Sequence, residues 1–253
     1  MTVAAIHQPG YFPWYGLVEK IARADVFVVL DNVQFNRAAY QHRTLYSAPG
    51  GVKLLTLPVK KAGLLEDGRH IKDIELADTR APSKHFETLK GRYRRSPGWP
   101  LLETDFSKIL CRQSSLLTDY ALPSLRFTLE QLGVASKLVF ASDLACEGTK
   151  SALVIDIVKA VGCDTYLSGT GARAYQVAEE FDAAGIRLLY QDLHHPKWKQ
   201  SHGGDFQTGC FVLEWLIEEG PGARDAFSEH LKRTAQNAFL TPDQLAAKTE
   251  GLP

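Results

Sequence analysis

Cysteine is scarce and scattered. The chain has four, at positions 111, 146, 163 and 210, and no two form a C-x-x-C pair. That spacing excludes a zinc ribbon, a redox motif and a disulfide framework. Reduced, structural thiols in a cytoplasmic setting are expected. Long hydrophobic runs are also missing. The longest strongly apolar run is Val26 to Leu30, against ~20 residues for a bilayer-spanning helix, so no membrane insertion is expected. Met1-Thr2-Val3-Ala4-Ala5-Ile6-His7 has no basic region leading into an apolar one, and does not read as a signal peptide. Neither sign of charge is in excess: Lys plus Arg and Asp plus Glu are both 29. A zero balance argues against a nucleic-acid partner or a membrane surface. The serine-nucleophile motif GxSxG is absent, as is the acidic pair DxD. Ser168-Gly169-Thr170-Gly171 lacks GxGxxG spacing, and Gly148-Thr149-Lys150-Ser151 lacks that of a P-loop.

What is present is an ordinary globular composition, 45% hydrophobic and 23% charged over 253 residues. Val3 to Gln8 reads as a strand ending in the turn signal Gln8-Pro9-Gly10. Pro13 opens a helix with Leu17, Ile21 and Ala24 on one face and Glu19, Lys20 and Arg23 between them. Asp25 to Leu30 reads as a strand buried on both faces. This β-α-β opening predicts parallel strands and a right-handed crossover. Further strands are expected at 52–59, 71–76, 137–141, 165–167 and 187–193. Helices are expected at 150–161 with Thr149 as N-cap, stopped by Gly162, and at 172–184, stopped by Gly185. There is no repeat and no linker. The expectation is one α/β domain over 1–253: an open, mostly parallel, Rossmann-like sheet with flanking helices, a helical insertion at about 82–132, and a helical C-terminal segment at about 211–253.

Unusual polar residues cluster just after the predicted strands, where open parallel sheets bind ligands. His7 and Gln8 follow the first strand, Asp31 to Gln34 the second, Ser142-Asp143 the third, and Ser168 to Gly171 the fourth. Gln191 to Pro196 follows the fifth. His7, His195 and Asp31 are the candidate catalytic groups; a neutral imidazole suits proton transfer near pH 7. Tyr11 and Trp14 belong to a run of four aromatics in ten residues, which suits a planar ligand or a sugar. Ser168, Gly169 and Gly171, with Arg173 one turn on, suit a phosphate or carboxylate. Gln8, Gln34, Arg37, Arg43 and Gln191 complete the expected substrate-binding set. His194, His195 and His202 invite a metal, but adjacent residues on a strand face opposite ways, so no metal site is assigned. No cofactor is assigned.

Several of these stretches resemble one family. Ile6-His7-Gln8-Pro9, Tyr11-Phe12-Pro13-Trp14, Lys20-Ile21-Ala22, Asp25-Val26-Phe27, Asp31-Asn32-Val33-Gln34-Phe35 and Arg43 look like the opening of the WbqC-like family. The likeness continues through Leu55 to Val59, Gly162 to Gly169, Tyr190-Gln191-Asp192, His195-Pro196 and Gln200, which joins the binding candidates. The resemblance implies transfer of an aminoacyl unit, glycine in the suggested case, to an amine or hydroxyl of a sugar in surface-polysaccharide (O-antigen) synthesis, or to another amine in secondary metabolism. It also implies a Ser-x-x-Asp pair before the last helix. Here Cys210 stands for the serine and the acid is displaced to Glu214. Residues 221–253 lie outside the resemblance.

Three functions compete. The first is an acyl or aminoacyl transferase with small-molecule substrates: an acyl donor and an amino-sugar acceptor. The second is a nucleotide-dependent adenylating enzyme, although Trp14-Tyr15-Gly16-Leu17 stands where a HIGH motif would be. The third is a non-catalytic binding or scaffold protein.

Overall fold

The computed structural model describes residues 1–61, 68–201 and 203–250. His202, of the histidine group considered above, lies outside them. In chain order the elements are β1 (Val3–His7), α1 (Tyr15–Ala22), β2 (Val26–Val29), β3 (Arg43–Ala48), β4 (Gly51–Thr56), α2 (Ala81–Tyr93), α3 (Trp99–Leu110), α4 (Thr118–Leu132), β5 (Lys137–Phe140), α5 (Lys150–Ala160), β6 (Thr165–Ser168), α6 (Ala178–Ala183), β7 (Arg187–Gln191), α7 (Leu213–Glu219), α8 (Gly222–Thr234), β8 (Phe239–Leu240) and α9 (Pro242–Glu250).

Six strands form one sheet in the order β5-β2-β1-β6-β7-β8. The first five are parallel and β8 runs antiparallel on the edge. The chain winds outward from β1 through β2 to β5, then returns to β6 on the other side of β1. This is a Rossmann-like α/β sheet, and its order reverses between β1 and β6.

Side-chain alternation along the strands explains why both faces are covered. Val3, Ala5, Phe27, Val29, Leu167 and Leu189 pack on one face against α1, α3, α4, α7 and α8. Ala4, Ile6, Val26, Val28, Tyr166, Leu188 and Tyr190 pack on the other against α5, α6 and α9. Phe27 and Val28 are both wholly buried, on opposite faces. Burying each such side chain contributes about 1.5–3 kcal/mol. This two-sided burial is what the unbroken apolar run at 26–30 encodes. Pro123 lies inside α4 and cannot donate to the carbonyl four residues back. Arg112 donates to that Asp119 carbonyl instead, at 2.9 Å.

Five local expectations are corrected. Residues 71–76 form a 3-10 turn at Ile71–Asp73 and isolated bridges, because no strand of the described residues runs alongside them. The helix expected at 172–184 is split. A 3-10 turn covers Thr170–Tyr175, Gln176 and Val177 are extended, and α6 follows. The Val177 N–H donates to Ser151 Oγ on α5 at 3.2 Å, and Gln176 Nε2 donates to Ser168 Oγ at 2.9 Å, so tertiary contacts displace the helical pairing. Thr149 has the extended backbone of an N-cap but its side chain makes no capping bond. The strand read at 52–59 is β4, which ends before Pro58; its antiparallel partner β3 was not read from the sequence. The C-terminal segment, read as helical, also contains β8. Gly162 and Gly185 do stop α5 and α6, at φ +73° and +72°, where a side chain would be strained.

Candidate active site

The loop leaving β1 is anchored at Phe12. Its φ is +43°, unusual for a residue with a side chain. Two hydrogen bonds hold it there. The Phe12 N–H donates to Ser124 Oγ at 2.9 Å, and Thr44 Oγ1 donates to the Phe12 carbonyl at 2.8 Å. The ring stacks on Phe106 at 5.1 Å, and Phe106 on Trp99 at 5.3 Å. Strain of this kind persists only where the surroundings over-determine it. Tyr11 is buried beside it and donates to His85 Nδ1 at 2.9 Å. Burial pushes the His85 imidazole down to about 4, so the ring is a neutral acceptor at pH 7.

Two cavities open from this loop. The smaller, about 400 Å³, is walled by Tyr11, Trp14, Tyr40, Gln41, Arg43 and the Pro9-Gly10 turn. The larger, about 960 Å³, lies outside the carboxyl ends of β1 and β6, where the sheet order reverses. The Ser168–Gly171 turn, Gln191, the start of α5 and one side of α9 enclose it. His7, Gln8, Trp14 and Leu17 line both cavities. The Trp14 indole lies across Gly16, where an added Cβ would come within 2.4 Å of it.

His7 is the imidazole at this junction. Its Nδ1 lies 2.8 Å from the Gln8 carbonyl, which accepts only from a protonated nitrogen. That assigns the proton to Nδ1 and leaves the Nε2 lone pair free. The ring surface is open to the cleft, while the cleft itself is walled by protein. Burial in that concavity first, and the Lys20 ammonium second, push the imidazole down to about 3, against a smaller upward effect of the Gln8 carbonyl. The His7 imidazole is therefore neutral across the physiological range. Gln8 Oε1 accepts from Gln41 Nε2 at 2.6 Å, which orients its amide.

Lys20, expected on a polar helix face, is 4% exposed and lines the larger cavity. Its ammonium reaches the Ile6 carbonyl at 3.4 Å. No described carboxylate pairs with it. Desolvation pushes it down to about 8 from 10.5. A cation held this way destabilises the fold, and replacing Lys20 with methionine raises stability at pH 7 by roughly 1–3 kcal/mol. The sign follows from proton binding. Between pH 8 and 10.5 the unfolded chain holds this proton more tightly than the fold does, so wild-type stability gains from rising pH in that window. The methionine variant lacks that gain. Melting temperatures of the two proteins, compared from pH 7 to 10, should converge as pH rises.

The remaining predicted residues divide. Ser168, Gly169, Gly171 and Gln191 line the larger cavity; Tyr11 and Arg43 line the smaller. Gln191 Nε2 donates to the Gly16 carbonyl at 2.8 Å and to the buried Glu19, which also pairs with Arg23. Arg43 lies over the Tyr40 ring at 5.2 Å. Asp31 lies outside both cavities: its carboxylate accepts from Ser142 N–H at 3.0 Å and Ser142 Oγ at 2.7 Å, tying the end of β2 to the end of β5. Gln34 and Arg37 are exposed and are not among the lining residues of either cavity. Arg173 points to Thr249 of α9, at 2.8 Å. His195 is packed behind α1, between Tyr15 at 4.9 Å and Trp198 at 5.4 Å, with Nδ1 against the Pro196 carbonyl. His7 and His195 are not brought together. His194 lies near Asp192, at 3.8 Å, and meets the Asn237 carbonyl. Among the described residues no group of three His, Cys, Asp or Glu is placed to hold a metal.

Gln200 belongs to a separate buried network. Its Nε2 donates to Glu214 Oε2 at 2.9 Å. Glu214 Oε1 accepts from the Ser47 N–H at 2.9 Å and from the hydroxyls of Ser47 and Tyr93. Cys210 is buried nearby. Burial, then the Glu214 charge, push its thiol well above the usual cysteine range, which keeps it protonated.

Sequence reasoning missed Lys20, Lys150 and Lys248, all on the larger cavity. One signal for Lys20 was available: α1 crosses between the apolar strands β1 and β2, and seven of its eight residues are buried. No helix of the described residues is long and apolar enough to cross a membrane.

The family model of the WbqC-like protein family matches residues 8–226. The match takes in the β1 loop, Lys20, the glycine turn and Gln191, and stops short of β8 and α9. "Uncharacterized protein Rv1507c" of Mycobacterium tuberculosis is 24% identical over 230 residues, covering 89% of this chain and 97% of its own. No solved structure matches the chain significantly. With most of its length under that model, the chain belongs to the WbqC-like protein family.

Proposed function

We propose that the protein is a group transferase that moves an acyl or aminoacyl unit from an activated donor to an amine or hydroxyl of an acceptor, a sugar being the acceptor the WbqC-like resemblance implies. It would act in the cytoplasm on small molecules. One observation carries this reading: His7, with a free Nε2, lines both cavities at their junction. A base between two subsites suits a two-substrate transfer. The donor occupies the larger cavity. The acceptor occupies the smaller one, against Trp14 and Tyr40, with Arg43 and Gln41 as polar contacts. The acceptor lone pair forms the new bond to the acyl carbon. His7 Nε2 takes the acceptor's proton, and the bond to the leaving group breaks with its electron pair. The imidazolium then returns the proton to the leaving group.

The test is incubation of the purified protein with thioester and phosphate-activated acyl donors and a panel of amino sugars, followed by mass spectrometry. An acceptor heavier by the acyl mass supports the reading. No such product, together with full function of His7→Asn in a producing strain, overturns it.

A further inference from the structure

The walls of the larger cavity carry an unbalanced charge. Lys20, Lys150 and Lys248 line it, and Asp192 is the acid among its lining residues. Asp192 is already engaged by Lys248, at 2.6 and 2.9 Å. Lys20 and Lys150 have no described carboxylate within 4 Å. His7 contributes no charge while its imidazole is neutral. The cleft therefore carries two cations with no carboxylate partner among the described residues: Lys150, exposed at the start of α5, and Lys20, 4% exposed with the Ile6 carbonyl at 3.4 Å.

Burying an ammonium without a counter-charge is costly, so its counter-charge is expected to come with a ligand. Two free cations match a dianion better than a single carboxylate. The volume, about 960 Å³, exceeds what a small acid needs and is of the size that encloses a whole cofactor-sized molecule. The position adds to this: the crevice at the reversal point of an open α/β sheet is where phosphate-bearing ligands sit. Opposite Lys20, the Ser168–Gly171 turn has glycines whose added Cβ atoms would meet nothing within 4 Å at 169 and 171, so a ligand can approach the backbone closely.

We infer that this cavity is a phosphate-binding site, in which Lys20 and Lys150 hold a phosphate ester or diphosphate of the donor against the Ser168–Gly171 turn. The donor is then a phosphate-bearing molecule, and Lys20 is a specificity-determining residue. This rests on the larger cavity being the donor subsite.

The experiment is calorimetric titration of the full chain near pH 7 with inorganic pyrophosphate, and with citrate as a carboxylate of similar charge. Wild type, Lys20→Met, Lys150→Ala and the exposed surface variant Lys232→Ala are compared at fixed ionic strength. Pyrophosphate should bind wild type and Lys232→Ala alike. It should bind Lys20→Met at least about tenfold more weakly and Lys150→Ala severalfold more weakly. Citrate should bind far less tightly than pyrophosphate. Because removing the buried charge stabilises the fold, loss of binding in Lys20→Met cannot come from unfolding, and its melting temperature verifies this. No pyrophosphate binding to wild type at about 10 mM, or equal affinity in Lys20→Met, overturns the site. Citrate binding as tightly as pyrophosphate overturns the phosphate assignment. Pyrophosphate binding in a protein that transfers no acyl group supports the site and counts against the transferase reading alone.

Discussion

His7→Asn lowers kcat/KM for the transfer by about 10²- to 10⁴-fold and leaves the melting temperature within about 1 °C of wild type. Asparagine is the informative substitution because its amide N–H can still donate to the Gln8 carbonyl, which His7 Nδ1 meets at 2.8 Å. What it removes is the Nε2 lone pair. The pH dependence gives an independent check. An ordinary histidine base loses activity below its pKa of 6.5, whereas His7 is depressed to about 3, by burial and by Lys20. The acid limb of wild-type kcat/KM should therefore lie well below pH 6.5. In Lys20→Met the second of those causes is gone, so the limb moves up in pH. An acid limb at 6.5 in wild type, or a His7→Asn variant with normal turnover, would falsify the general-base role.

The second large effect concerns stability. Glu214→Ala should cost at least about 3–5 kcal/mol, because it strands buried donors from three residues at once. Glu214 is wholly buried and its two oxygens serve Ser47, Tyr93 and Gln200. These partners lie on β3, α2 and the segment before α7, so one carboxyl group joins three parts of the chain. For a protein of this size the loss corresponds to roughly 10 °C or more in Tm. Glu214→Gln keeps an acceptor oxygen for Ser47 and Tyr93 but turns an amide toward Gln200, and should cost less. Thermal unfolding followed by circular dichroism separates the two. A drop under about 3 °C for the alanine variant would show that the neighbouring Glu218 network, through Arg92 and Ser201, carries the load instead.

These two predictions show why a chemistry-bearing residue type does not identify its role. Glu214 and His195 have the side chains of catalysts. One is consumed by hydrogen bonds and the other is wedged among aromatic rings. Asp31 followed a predicted strand, as His7 did, yet Ser142 takes both its oxygens because β5 lies beside β2. Sheet neighbours are set by strand order, and no local pattern in 31–34 carries that order. His7 differs because β1 is central and its neighbour β6 lies across the reversal point, where the helices diverge and leave a crevice.

Local pattern alone determined the strands at 3–7, 26–29, 137–140, 165–168 and 187–191, their parallel sense, and the placement of His7 and the glycine turn at strand ends. Apolar runs and turn residues act over a few positions, and those features are encoded at that range. Tertiary structure decided which strand ends meet. It buried Lys20 beside His7, closed α9 over the cleft, and engaged Asp31, His195 and Gln200 in the packing of the fold. The physical reason is that burial and charge pairing depend on contacts between residues far apart in the chain: Ser142 reaches Asp31 across 111 positions, and Gln191 reaches Gly16 across 175.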